Sequence, residues 1–125
     1  MKLAHTMLRT GSPDEMMDFY TEAFNMEMKR KKEMDTFTLY FLGHPDQTAE
    51  IELTYNHGED DRYEKGEGFG HIAIHTPEET TLQEAYNDAV DAGGKDYRPP
   101  EECPGNYAFV KDPEGYEVEI LASSS

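Results

Sequence analysis

Two histidines and two glutamates carry the most suggestive chemistry in this chain. His5 lies in the apolar stretch LAHTMLRT at 3–10, and His71 lies in a second one, FGHIAIHT at 69–76. Glu52 follows His5 by 47 residues, and Glu119 follows His71 by 48. Taken singly, each reads as an ordinary strand residue, since a lone histidine is usually structural and a glutamate in an alternating strand usually faces water. The matched pairing is what singles them out. Two imidazoles and two carboxylates suit a borderline divalent ion that keeps room for water. Glu52 is flanked by Ile51 and Leu53, and Glu119 by Val118 and Ile120. In a strand such neighbours face the opposite side, so both glutamates share a surface distinct from the apolar one.

The elements that must position these residues repeat as well. Ser12-Pro13-Asp14-Glu15 and Thr76-Pro77-Glu78-Glu79 each offer a hydroxyl cap, a proline at the first helical position and an acid at the third. An amphipathic helix is expected after each. The first stacks Met16, Tyr20, Ala23 and Phe24, and the second Leu82, Ala85, Tyr86, Ala89 and Val90, ending at Gly93-Gly94. Three strand-like stretches follow each helix, at about 27–32, 35–43 and 49–56, then at about 95–98, 106–111 and 115–122. Asp112-Pro113-Glu114-Gly115 marks the last hairpin. The expected fold class is α+β: residues 1–125 form one domain of two βαβββ modules, about 1–57 and 69–122. The polar segment His57 to Gly68 joins them as an exposed loop.

Composition narrows the function classes. Acidic residues number 27 against 11 basic ones, a formal charge of −16. Nucleic acid and anionic membrane both call for a basic footprint, so neither is an expected partner. The acids are spread along the whole chain, which makes a solubilising coat. A sharper reading is adaptation to high internal salt, with stability rising toward molar salt as repulsion is screened. A melting temperature that stays flat between low and molar potassium chloride would remove that reading. No apolar run approaches the roughly 20 residues that span a bilayer, no secretory segment opens the chain, and the single Cys103 has no disulfide partner. A cytoplasmic location is expected. Cys103 stands beside Glu101 and Glu102, surroundings that disfavour a thiolate nucleophile. His44, His57 and His75 have no repeat partner and read as surface or loop residues. Lys29-Arg30-Lys31-Lys32 reads as a solvated strand.

HTMLR at 5–9, DFYTEAFNM at 18–26, IELTYNHG at 51–58, GHIAI at 70–74 and DPEGYEVEI at 112–120 resemble bacterial glyoxalase I, or lactoylglutathione lyase, of the vicinal oxygen chelate superfamily. The similarity runs from about residue 1 to 122. It implies that His5, Glu52, His71 and Glu119 are the four metal ligands. It also implies a homodimer whose site takes one His/Glu pair from each subunit, and Ni2+ or Co2+ in preference to Zn2+. The implied substrate is the hemithioacetal of methylglyoxal and a low-molecular-weight thiol, glutathione or γ-glutamylcysteine, and the product is a 2-hydroxyacyl thioester. Glu119 is the expected base and Glu52 its symmetry-related counterpart.

By the same resemblance, Arg9 and Asn56 match positions that hold the γ-glutamyl end of the thiol. The loop expected to hold a glycine carboxylate, RPPEECPGNY at 98–107, is about three residues shorter than the family pattern and carries acids in place of lysine. That favours a thiol without glycine. The alternatives are other enzymes of the superfamily (dioxygenase, epimerase, thiol transferase) and binding or resistance proteins of the same fold. The dioxygenases keep three protein ligands and the binding proteins lack them, whereas this chain offers four at matched positions.

Overall fold

A computed structural model describes residues 1–103 and 105–122. The chain runs β1 (His5–Arg9), α1 (Pro13–Phe24), β2 (Glu27–Glu33), β3 (Phe37–Gly43) and β4 (Glu50–Asn56). It then repeats as β5 (His71–His75), α2 (Leu82–Asp91), β6 (Lys95–Arg98), β7 (Tyr107–Lys111) and β8 (Glu117–Leu121), with a 3-10 turn at Pro100–Glu102 before β7. The sheets have the orders β1-β4-β3-β2 and β5-β8-β7-β6. In each, the first and last strands of the module pair in parallel and the others antiparallel. The α+β fold of two βαβββ modules is therefore the one expected.

One face of each sheet meets the helices. Leu8, Leu42, Ile51 and Leu53 from the first sheet share a core with Ala108, Val110, Val118 and Ile120 from the second. Met16, Phe19, Tyr20 and Phe24 of α1 and Ala85, Tyr86 and Ala89 of α2 complete it. Burying an aliphatic or Phe side chain of this kind contributes roughly 1.5–3 kcal/mol. Pro13 sits at the start of α1, and Asn25, at φ 57°, closes it in the left-handed conformation.

α1 starts where expected, without its capping bond, and α2 starts later than expected. Ser12 is the N-cap of α1, but its side chain makes no capping bond. The capping box of α2 lies five residues later than Thr76-Pro77-Glu78-Glu79. Thr81 Oγ1 accepts from the Glu84 N–H at 3.1 Å, and Glu84 Oε1 accepts from the Thr81 N–H at 2.9 Å. Both segments carry a T-x-x-E pattern, and the apolar spacing from Leu82 decides between them. Residues 77–80 instead form a turn, closed by the Thr80 N–H on the Pro77 carbonyl at 3.1 Å.

The connection between modules is exposed along most of its length, as expected, and it is also anchored to the second module. Arg62 Nη2 donates to the Pro113 carbonyl at 3.0 Å, and the Tyr63 N–H to Glu114 Oε2 at 2.9 Å. Lys65 Nζ reaches the Glu114 carbonyl at 2.8 Å. A Cβ at Gly11 would lie 2.5 Å from the Asp61 carbonyl oxygen, so only glycine lets this segment pack so closely. Charge and glycine content mark the exposure but not these anchors, because the partners lie about fifty residues further on.

Those partners belong to the 112–116 turn, which ties both modules together. Asp112, fully buried, accepts from the N–H groups of Glu114, Gly115 and Tyr116 at 2.9–3.0 Å and from the Tyr20 hydroxyl of α1 at 2.7 Å. Glu114, 1% exposed, accepts from Thr10 Oγ1 at 2.8 Å and from the Gly11 N–H at 3.1 Å. Burial pushes Glu114 up, but its hydrogen bonds with Tyr63, Thr10, Gly11 and Lys65 outweigh burial and hold it below the usual carboxylate range. For Asp112 burial wins over the hydrogen bonds, and its pKa rises from 3.8 to about 6. A carboxyl raised on folding adds stability that is full below about pH 4 and is lost as the pH rises through about 6. Asp112→Asn keeps the acceptor for the three N–H groups and cannot ionise. Thermal unfolding across a pH series should therefore show a smaller loss of stability between pH 4 and 6 in the variant, and parallel curves would refute this role.

Candidate metal centre

Strand alternation assigns each side chain to the core face or the open face of its sheet. Leu8, Ile51 and Leu53 go to the core, so His5, Met7 and Arg9 of β1 and Glu50, Glu52 and Thr54 of β4 go to the open face. In the second sheet Val118 and Ile120 go to the core, which leaves Glu117 and Glu119 of β8 with His71 and Ala73 of β5. Met7 is in register with Glu52 and Ala73 with Glu119, so each histidine sits diagonally across from its glutamate.

The expected pairs form in both modules. His5 Nε2 lies 2.9 Å from Glu52 Oε1, and His71 Nε2 lies 3.1 Å from Glu119 Oε1. The histidine side chains are 42% and 39% exposed and the glutamates 12% and 19%, so each imidazole is reachable while its carboxylate is sheltered. The second layer repeats too. Phe41 is in register with Glu52 and meets the His5 ring edge-on at 5.9 Å; Phe109 is in register with Glu119 and meets His71 at 5.0 Å. Within one chain the two pairs stay apart. Among the described residues no group of three or more His, Cys, Asp or Glu is placed to hold one ion. Each module thus presents one nitrogen and one oxygen on an open face, donors whose chemistry suits a borderline divalent ion. β1 and β5, which carry the histidines, are edge strands of their sheets.

Arg9 shares the open face with Asn56, being in register with Thr54. The Arg9 carbonyl accepts from the Tyr116 hydroxyl at 2.7 Å, and Asn56 Nδ2 donates to the Tyr63 hydroxyl at 3.1 Å. The other histidines stand apart from this geometry. His44 bonds the Phe24 carbonyl, His57 the Thr38 hydroxyl and His75 the Ala122 carbonyl. Cys103 is buried, with Sγ directed at the Arg98 carbonyl at 3.7 Å; burial raises its thiol pKa, the Arg98 charge opposes the rise, and Glu102, Glu101 and Glu119 add to it. Of the 98–107 loop, Pro104 lies outside the described residues; Glu101 and Glu102 are exposed.

The run at 29–32 is largely the solvated strand expected, with Arg30 exposed, but Arg30 also packs beside the site. A bulge between Met28 and Arg30 brings it into register with Phe41. Its guanidinium stacks 3.8 Å from the Phe41 ring centroid and bonds Glu50 Oε1 at 2.9 Å, next to His5. Arg98 follows an equivalent bulge, pairs with Phe109, and holds its guanidinium 5.9 Å from that ring. The signal was in the repeat: Arg30 and Arg98 are 68 residues apart, and so are Phe41 and Phe109.

A family model described as the glyoxalase/bleomycin resistance protein/dioxygenase superfamily matches residues 2–120. A probable lactoylglutathione lyase of Vibrio cholerae is 42% identical over 127 residues, covering 96% of this chain and 89% of that protein. The lactoylglutathione lyase of Haemophilus influenzae is 38% identical, covering 100% and 95%. Among solved structures, the trypanothione-dependent glyoxalase I of Leishmania major superposes with a TM-score of 0.82 at 36% identity, covering 98% of this chain and 86% of that one. Full-length likeness in sequence and fold, with the repeated His/Glu pairs on the open faces, means that this chain belongs to the glyoxalase/bleomycin resistance protein/dioxygenase superfamily, in its lactoylglutathione lyase branch.

Proposed function

We propose that the protein is a metal-dependent glyoxalase I acting on the hemithioacetal of methylglyoxal and a small thiol. The observation that carries the reading is the pair of His/Glu half-sites, 2.9 and 3.1 Å across, at equivalent positions of the two sheets. His5 and Glu52 of one subunit, with His71 and Glu119 of a second, would hold the ion, Ni2+ or Co2+ in preference to Zn2+. When bound, such an ion polarises the substrate's neighbouring oxygens.

The chain's own groups do the rest. Glu119 takes the proton from the carbon that bears sulfur and returns it to the adjacent carbonyl carbon. The hydroxyl proton moves to the other oxygen, so the hemithioacetal becomes a 2-hydroxyacyl thioester with no net oxidation. Glu52 is the symmetry-related counterpart of Glu119. Arg9 forms a charge-assisted pair with the carboxylate of the thiol's γ-glutamyl head, and Asn56 binds beside it. The homodimer is part of the reading, because one chain keeps its two donor pairs apart. A cytoplasmic setting fits a chain whose one cysteine is a free thiol.

The test is turnover by purified protein reconstituted with nickel, cobalt or zinc, followed by thioester absorbance, with methylglyoxal and either glutathione or γ-glutamylcysteine. Turnover is expected, and none with any metal and thiol would overturn the reading. With Glu101 and Glu102 exposed near the expected glycine site, kcat/KM should favour γ-glutamylcysteine. Loss of a hydrogen bond to a charged group, about 1.5–3 kcal/mol, sets the scale at roughly ten- to a hundredfold. A clear preference for glutathione would mean that backbone amides near Gly105 still receive the glycine.

A further inference from the structure

The ordered connection between the modules brings Tyr63 against Asn56. Asn56 Nδ2 donates to the Tyr63 hydroxyl at 3.1 Å, and that hydroxyl donates to Glu59 Oε1 at 3.4 Å. An ionised carboxylate can only accept a hydrogen bond, and a tyrosine hydroxyl has one proton to give. Its proton goes to Glu59, so its oxygen can only receive, and Nδ2 is the one end of the Asn56 amide that can give. The chain of bonds therefore has a single direction, which turns Asn56 Oδ1 away from Tyr63. Among the described residues no donor is bonded to Oδ1. Tyr63 itself is held from elsewhere: its N–H is on Glu114 Oε2 at 2.9 Å, and its carbonyl accepts from Lys65 Nζ at 2.7 Å.

We propose that Tyr63, polarised by Glu59, is a positioning residue that fixes the amide of Asn56 so that Oδ1 receives the ammonium of an amino-acid head whose carboxylate lies on Arg9. This rests on the reading of Arg9 and Asn56 given above. It deepens that reading by making the free amine of the thiol a recognised group. A guanidinium and a turned-out amide oxygen, on adjacent strands of one open face, match the two charges of an α-amino acid and not a bare carboxylate.

The test measures binding, by calorimetry on the purified protein, of S-methylglutathione and of its N-acetyl derivative, which lacks the ammonium. Wild type should prefer the free amine. Tyr63→Phe keeps the ring and should reduce that preference by about two- to tenfold, the scale of one hydrogen bond. Glu59→Gln, whose amide can donate to the hydroxyl and release the direction of the chain, should move it the same way by less. Because Tyr63 acts through Asn56, Tyr63→Phe should change nothing further in an Asn56→Ala background. In turnover, Tyr63→Phe should raise KM and leave kcat unchanged. A Tyr63→Phe variant that weakens both ligands equally, or whose effect adds in full to that of Asn56→Ala, would overturn the proposal. Wild type that is indifferent to acetylation would overturn it too. Failure of the wild type to convert any hemithioacetal would count against the proposed reaction, while the binding ratios would still decide the role of Tyr63.

Discussion

Replacing Glu119 with Gln should lower kcat by about a hundred- to ten-thousandfold, the range that a positioned general base supplies, while most of the bound metal stays in place. Glutamine keeps the length and one oxygen donor of glutamate and cannot take a proton. His71→Ala should behave differently. It removes the nitrogen that lies 3.1 Å from Glu119, so metal and turnover should fall together. Metal per chain, measured by plasma mass spectrometry beside kcat, separates the two roles. Equal loss of metal and turnover in Glu119→Gln would reduce Glu119 to a ligand. His5→Ala and Glu52→Ala should also lose metal, and a His5→Ala protein with full metal and unimpaired turnover would sink the four-donor site.

Two inactive proteins should regain activity when mixed. One carries His5→Ala and Glu52→Ala, the other His71→Ala and Glu119→Ala. If each site takes one pair from each subunit, either protein alone has no intact site. A mixed dimer joins the sound first module of one chain to the sound second module of the other, which restores one of its two sites. After unfolding and refolding together, random pairing gives half mixed dimers, so about one quarter of wild-type activity should return. No recovery, with light scattering showing an active wild-type monomer, would mean that the modules of one chain close around the ion themselves.

The repeat made most of the architecture legible. Strand alternation around Glu52 and Glu119 placed both glutamates opposite Ile51, Leu53, Val118 and Ile120, and those neighbours are in the core. The same logic paired His5 with Glu52 and His71 with Glu119, because sheet register follows from which face is buried. It placed Arg30 in a solvated strand, where it lies, but missed its contact with Phe41, since a bulge changes which residue meets that ring and nothing local announces a bulge. It placed the start of α2 at Thr76, where a proline outweighed the better apolar spacing from Leu82. It gave residues 57–68 as an exposed loop, which most of them form, without the contacts that anchor it. Arg62, Tyr63 and Lys65 are polar whether they face water or Glu114, and only the fold brings Glu114 to them.

The 112–116 turn has a consequence for how the molecule is made. Tyr20 takes its partner 92 residues downstream and Thr10 takes its partner 104 residues downstream. A ribosome extends a chain by roughly 5–20 residues each second, so the first half emerges seconds before Asp112 and Glu114 exist. During that interval the Tyr20 hydroxyl lacks its Asp112 partner, and burying it unpaired would cost free energy. The bonds that tie α1 and the end of β1 to the last hairpin can therefore form only late in synthesis.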